Sequence, residues 1–168
     1  LLLDSALKLK KMYVYNFLIV ALNTGCRPAE VYNLTFKDID FEKNIVDVYQ
    51  PKVKEHKQIP INDSLRQLLT ALSGEAKDKY VINNSDKPVN KRSFLDRWAE
   101  VRTEAKLDKT VIPYVCRHTF CTRLAEAGVP IRRIMEYSGH KTLSMVMRYT
   151  HPKGLNLQYY LLDEFSAL

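Results

Sequence analysis

Val14, Phe17, Leu18, Ala21 and Leu22 recur at i, i+3, i+4, i+7 and i+8, and no other feature restricts the fold of this 168-residue chain as strongly. Such a stripe is the apolar face of a helix that has to be covered, and it predicts a core helix over residues 4–23. Gly25 follows as the stop, because glycine takes the left-handed conformation that ends a helix without strain. The same punctuation recurs downstream. Pro28 opens a short helix through Asn33, Pro113 opens one through Ala127 ended by Gly128, and Pro130 opens another through Tyr137 ended by Gly139. A short helix over residues 143–149 comes next, and Leu157, Tyr160, Leu161, Phe165 and Leu168 give the tail an amphipathic face.

Between these helical blocks, residues 45–49 and 57–61 are β-branched or alternating runs around a charged turn, which predicts a hairpin bearing Lys52, Lys54 and Lys57 on or beside it. Asn62 and Asp63 are caps for a helix whose Leu65, Leu68, Leu69 and Leu72 share one stripe. Residues 73–79 are polar and loop-like, and residues 80–82 are a short apolar run. Ser93 is the expected cap of a helix to about Lys106, with Lys87, Lys91, Arg92 and Arg97 clustered near its start. The expected fold is a single domain, mainly α with a small antiparallel β-sheet.

Twenty-six Lys and Arg against 19 Asp and Glu leave a net charge of +7, which favours an anionic partner. Three cysteines, Cys26, Cys116 and Cys121, form no Cys-x-x-Cys pair, so neither a disulfide framework nor a zinc ribbon is indicated and a reducing, cytoplasmic setting is expected. No apolar run approaches the roughly 20 residues of a membrane span, since residues 13–22 are short and interrupted by Asn16. The chain starts at Leu1 inside a helical pattern without an initiator Met, which gives the expectation of a fragment.

Two arginines stand where a solvated charge would be odd. Arg27 lies in Thr24-Gly25-Cys26-Arg27-Pro28, directly after the buried helix. Arg117 shares a helix face with Phe120, Cys121 and Leu124, where an unpaired guanidinium is costly, so an anion has to meet it. A structural ion pair with Glu30 or Glu126 would satisfy Arg117, and so would a bound phosphate.

Further blocks decide which comparison is apt. Thr24-Gly25-Cys26-Arg27-Pro28-Ala29-Glu30, Lys52 on the hairpin turn, Arg117 on its helix, Gly139-His140, and Tyr149 nine residues after that histidine follow one another in order. In this order and spacing the chain resembles the catalytic domain of the tyrosine recombinases, the phage-type integrases. One position departs from the pattern: three residues before Arg117 the family usually has His, and here stands Tyr114. A phenol can donate to a phosphate oxygen, but with a reference pKa of about 10 it accepts a proton poorly at neutral pH.

The resemblance implies a set of roles. Arg27 and Arg117 grip the non-bridging oxygens of the scissile phosphate, and His140 and Tyr114 add hydrogen bonds to it. Lys52 protonates the leaving 5′ oxygen, with Lys54 the neighbouring alternative. Tyr149 attacks and leaves a 3′-phosphotyrosyl bond, so that neither metal nor other cofactor is called for. Glu30 orients the cations, and Lys54, Lys91, Arg92 and Arg97 are the expected DNA contacts. The resemblance further implies double-stranded DNA as partner, a tetramer on paired sites, and an N-terminal DNA-binding domain outside residues 1–168. Other readings stay open: a DNA-binding protein with a degenerate site, a type IB topoisomerase-like activity, and a metalloenzyme using Cys116, His118, Cys121 and His140.

Overall fold

A computed structural model describes residues 1–50, 54–74 and 78–150. Eight helices and a three-stranded antiparallel sheet are present among them: α1 Leu2–Lys8, α2 Met12–Thr24, α3 Pro28–Asn33, β1 Ile39–Asp40, β2 Ile45–Gln50, β3 Glu55–Pro60, α4 Asp63–Leu72, α5 Lys91–Glu104, α6 Val115–Glu126, α7 Ile131–Ser138 and α8 Leu143–Thr150. The expected class, mainly helical with a small antiparallel sheet, is the one observed.

The single helix expected over residues 4–23 is two. Lys10 takes a left-handed φ of 54° and breaks it, and α1 folds back against α2 and α5. The reason lies in Leu2, Leu3 and Ala6, all buried: a straight helix would carry them past the end of the core. Lys11 then pairs with Glu100 of α5 at 2.5 Å and holds the turn in place.

α5 also begins earlier than expected. Asn90 rather than Ser93 is its cap, with the Asn90 side chain accepting from the Ser93 N–H at 3.0 Å. Both residue types cap well, and the one that leaves Phe94, Trp98 and Val101 facing the core prevails. The apolar run at residues 80–82 is not a strand. It makes isolated bridges from Tyr80 to Thr35 and Ser85 while Val81 and Ile82 are fully buried.

In the sheet β2 lies centrally, with Val48 opposite Lys57 and Val46 opposite Ile59. Most apolar side chains of α1 to α5 and the sheet form one core in which Phe17, Tyr32, Phe94 and Trp98 pack ring on ring, and each such burial contributes roughly 1.5–3 kcal/mol. A second, smaller cluster joins Phe120, Cys121 and Leu124 of α6 to Ile134 of α7 and Val146 and Tyr149 of α8. Among the described residues no helix is long and apolar enough to cross a membrane.

Candidate active site

Two glycines in the left-handed conformation bring the candidate residues together. Gly25, at φ 62°, ends α2, and a Cβ there would fall inside the Phe120 ring of α6. Gly139, at φ 69°, ends α7, and a Cβ there would strike the Gln50 amide at the end of β2. Both turns therefore pass closer to a neighbouring element than any other residue allows.

From the first turn Arg27 enters α3. Its N–H donates to Glu30 Oε2 at 2.8 Å, its Nη1 to Glu30 Oε1 at 2.8 Å, and its Nη2 to the Gly139 carbonyl at 3.3 Å. Glu30 thus caps α3 and holds the guanidinium at once. Its Oε2 also accepts from Lys57 Nζ of β3 at 2.9 Å, and both side chains are almost wholly buried. Burial by itself raises the Glu30 carboxyl, but Lys57 and Arg27 outweigh it, so the group titrates below the ordinary carboxylate range. The neighbouring Cys26 thiol is pushed up chiefly by burial.

Arg117 has a different environment. It is 4% exposed, and its Nη1 donates to the Gly25 carbonyl at 2.8 Å and to the Ser138 carbonyl. Among the described residues neither Glu30 nor Glu126 forms an ion pair with it; backbone oxygens accept its hydrogen bonds instead. Among the described residues its buried Nη2 has no hydrogen-bond partner. Burial and then the nearby Arg27 charge lower its pKa, although a guanidinium stays protonated throughout the working range.

His140 follows the second turn. The Ser138 hydroxyl donates to the Ile134 carbonyl at 2.5 Å, and His140 Nδ1 lies 2.6 Å from the same Ser138 oxygen. With the hydroxyl hydrogen assigned to the Ile134 carbonyl, the imidazole is the donor, and Nε2 is then the lone-pair nitrogen of a neutral ring. Burial, then Arg117 and Arg27, pull the His140 pKa down to about 4. Capping of α7 falls to its backbone, whose N–H donates to the Met135 carbonyl at 3.2 Å.

Tyr149 stands near the end of α8, 6% exposed within the smaller cluster. Its hydroxyl meets His118 Nδ1 at 2.9 Å, and its ring lies 5.7 Å from the His118 ring and 5.9 Å from the His140 ring. Burial and Cys121 raise the phenol pKa more than Arg117 and Arg148 lower it, so it is protonated at neutral pH. A groove of about 910 Å³ between β3 and α7, lined by Gln50, Lys57, Arg132, Arg133 and Lys141, opens onto His140.

Arg27, Glu30, Arg117, His140 and Tyr149 thus converge. Tyr114 does not join them: it is 44% exposed at the start of α6, and among the described residues its hydroxyl bonds to none of the five. Lys52 lies outside the described residues. Lys54 is exposed in the hairpin turn at φ 53°. On α5, Lys91 and Arg92 are exposed, and Arg92 approaches Asp96 at 3.6 Å. Arg97 is half-buried and lies over the exposed Tyr13 ring, 5.4 Å from its centroid. Among the described residues no group of three or more His, Cys, Asp or Glu is placed to hold a metal ion, and Cys116 is a core thiol pushed to about 12 by burial.

Two residues named in the sequence only as a hairpin lysine and a possible metal ligand, Lys57 and His118, have places at this site that were not expected. Lys57 could have been found, since it alternates with inward-facing Ile59 on β3. His118 could not, because only the packing of α8 on α6 sets an imidazole against Tyr149.

The geometry can be set beside known proteins. Residues 2–154 match the model of the phage integrase family. A probable integrase/recombinase of Methanocaldococcus jannaschii is 30% identical over 142 residues, which is 78% of this chain and 43% of that protein. The XerA recombinase superposes with a TM-score of 0.71 at 25% identity, over 95% of this chain and 57% of that one. The Tn1549 transposon integrase, solved in complex with a circular intermediate DNA, superposes with a TM-score of 0.69 at 24% identity, over 82% of this chain and 54% of that one. The chain spans about half the length of the relatives it matches. The family model takes in both glycine turns and every element that carries a converging side chain, and by that match the chain belongs to the phage integrase family.

Proposed function

We propose that this chain is the catalytic domain of a site-specific recombinase or integrase that cleaves and rejoins DNA strands through Tyr149. The observation that carries the reading is the convergence of Arg27 and Arg117, from different helices, on the turn between Ser138 and His140, beside the Tyr149 phenol that His118 meets. Two guanidiniums there suit the extra negative charge on the non-bridging oxygens as a phosphodiester is attacked. The buried Arg117 Nη2, unpartnered among the described residues, is a donor ready for such an oxygen.

In the proposed step Tyr149 Oη forms a bond to phosphorus and the bond to the 5′ oxygen breaks. The phenol gives up its proton and the 5′ oxygen gains one, from Lys52 by resemblance. The product keeps the ester as a 3′-phosphotyrosyl bond, so rejoining runs the same exchange backwards. Double-stranded DNA is the proposed partner, with four copies on paired sites and an additional DNA-binding domain closing on the duplex. A DNA contact by Lys54, Lys91 and Arg92 fits their exposure, whereas the half-buried Arg97, stacked over Tyr13, is less free to make one.

Peptide mapping of protein trapped on nicked duplex DNA tests the proposal. The adduct is expected on Tyr149, and Tyr149→Phe, which removes one oxygen, is expected to lower it to background while DNA affinity survives. An adduct on another tyrosine, or robust cleavage by the Phe variant, refutes the assignment.

A further inference from the structure

Attack by Tyr149 needs an acceptor for its proton, because the buried phenol is protonated at neutral pH. Tyr114, standing where a proton-accepting histidine is expected, is exposed and forms no bond to Tyr149 among the described residues. One turn further along α6, His118 Nδ1 lies 2.9 Å from the Tyr149 hydroxyl.

Resting on the phosphotyrosine reading, we infer that His118 is a catalytic residue that aims the Tyr149 hydroxyl and takes its proton as the phosphorus–oxygen bond forms. The balance is complete. The O–H bond of Tyr149 breaks and its proton passes to Nδ1, giving an imidazolium; the oxygen lone pair bonds phosphorus; the bond from phosphorus to the 5′ oxygen breaks, and that oxygen takes up the proton assigned above to Lys52, which it hands back on rejoining. When the 5′ hydroxyl later attacks the phosphotyrosine, the imidazolium returns the proton to the leaving phenolate.

The surroundings keep His118 ready for this. The charged or titratable groups facing it are Arg148 and Tyr149 of α8, Arg117 of its own helix, and His140 of the turn before α8. Burial first, then Arg148 and Arg117, hold its pKa below the ordinary 6.5, so the ring is neutral at pH 7. The inferred step takes the phenol as donor in this contact, which makes Nδ1 the acceptor and Nε2 the protonated nitrogen. Once formed, the imidazolium would lie beside the added charge on the phosphate, which offsets the repulsion from the two arginines.

The test uses the full chain and a pool of nicked duplexes randomised around the nick, with adducts mapped to Tyr149. His118→Ala is expected to slow adduct formation roughly 10²–10⁴-fold with affinity for the pool unchanged, and to abolish the loss of rate on the acid side of pH 6.5. His118→Asn, which can accept a hydrogen bond but cannot store a proton, should remain close to the Ala rate. Parent-like rate and pH profile in His118→Ala overturn the inference, and a full rate in His118→Asn overturns the proton-accepting role. Nitrogen NMR of the unmodified chain gives a reading free of turnover: Nδ1 should resonate as an accepting nitrogen at pH 7 and shift in Tyr149→Phe. A protonated Nδ1 there would also overturn it. No Tyr149 adduct in the parent chain sinks the phosphotyrosine reading itself, a result distinct from all of these.

Discussion

Arg27 and Arg117 meet at one turn but belong to differently built halves of the molecule. On the Arg27 side, Glu30 neutralises two cations at once, Arg27 and the buried Lys57, and the assembly rests on the large core of α2, α3 and the sheet. On the Arg117 side the charge is met only by carbonyls among the described residues, and the supporting cluster of α6, α7 and α8 is small. A carboxylate cancels charge and so fixes geometry; carbonyl dipoles hold geometry but leave the charge for an anion. The first half is therefore a frame, and the second is where, on the proposed function, affinity for a phosphodiester would reside.

The largest effect should come from breaking the frame. Glu30→Ala strands Lys57 in a buried site, and removing one partner of such a pair is strongly destabilising, about 3–5 kcal/mol. Thermal unfolding should show a fall of roughly 2–4 °C per kcal/mol. A double change, Glu30→Leu with Lys57→Met, should recover much of that loss.

Arg117→Met sharpens the contrast. Stability should drop by only about 1–3 kcal/mol, from the carbonyls left unpaired, while adduct formation falls roughly 10²–10³-fold. Chemical denaturation and trapping on nicked DNA measure the two. If Arg117→Met unfolds as readily as Glu30→Ala, the division between frame and anion site is wrong.

His140 reports the uncancelled charge more gently. With a folded pKa of about 4 against an ordinary 6.5, the unfolded chain binds a proton between those values and the folded chain does not. The contribution of His140 to stability is whole above pH 6.5 and declines as pH falls towards about 4. Proton NMR should show its midpoint near the low value, moving upward in Arg117→Met or when a phosphodiester binds. A midpoint at 6.5 in the unmodified chain would mean that burial and the arginines do not act on this ring.

The smallest effect is expected at Tyr114. Exposed and without a bond to the converging residues, it should tolerate Phe within about 0.5 kcal/mol of stability, and cleavage should change little. Strong loss of cleavage in Tyr114→Phe would put its hydroxyl on the phosphate after all and weaken the case for His118.

Much of this was legible in the residues because the signals are local. The stop at Gly25, the helix from Pro28 to Asn33, the stop at Gly139 and the cap at Asn62 each depend on a few neighbouring atoms, and all are observed. The break at Lys10 was not legible: the residues there permit helix, and it is the packing of α1 on α5 that ends it. Arg27, Arg117, His140 and Tyr149 were found as a spaced set, yet spacing carried no information about what would neutralise each one.

By itself, then, the sequence determined the family, the helical class with its small sheet, and which side chains have to be explained, since hydrophobic period, glycine stops and motif order are properties of neighbouring residues. Only the tertiary structure decided that Glu30 serves both Arg27 and Lys57, that Arg117 leans on the carbonyls of Gly25 and Ser138, and that His118 rather than Tyr114 holds the Tyr149 hydroxyl. Those pairings join positions as far as 92 residues apart. Which charge meets which oxygen across that span depends on how the helices pack, and packing is settled by the whole core at once.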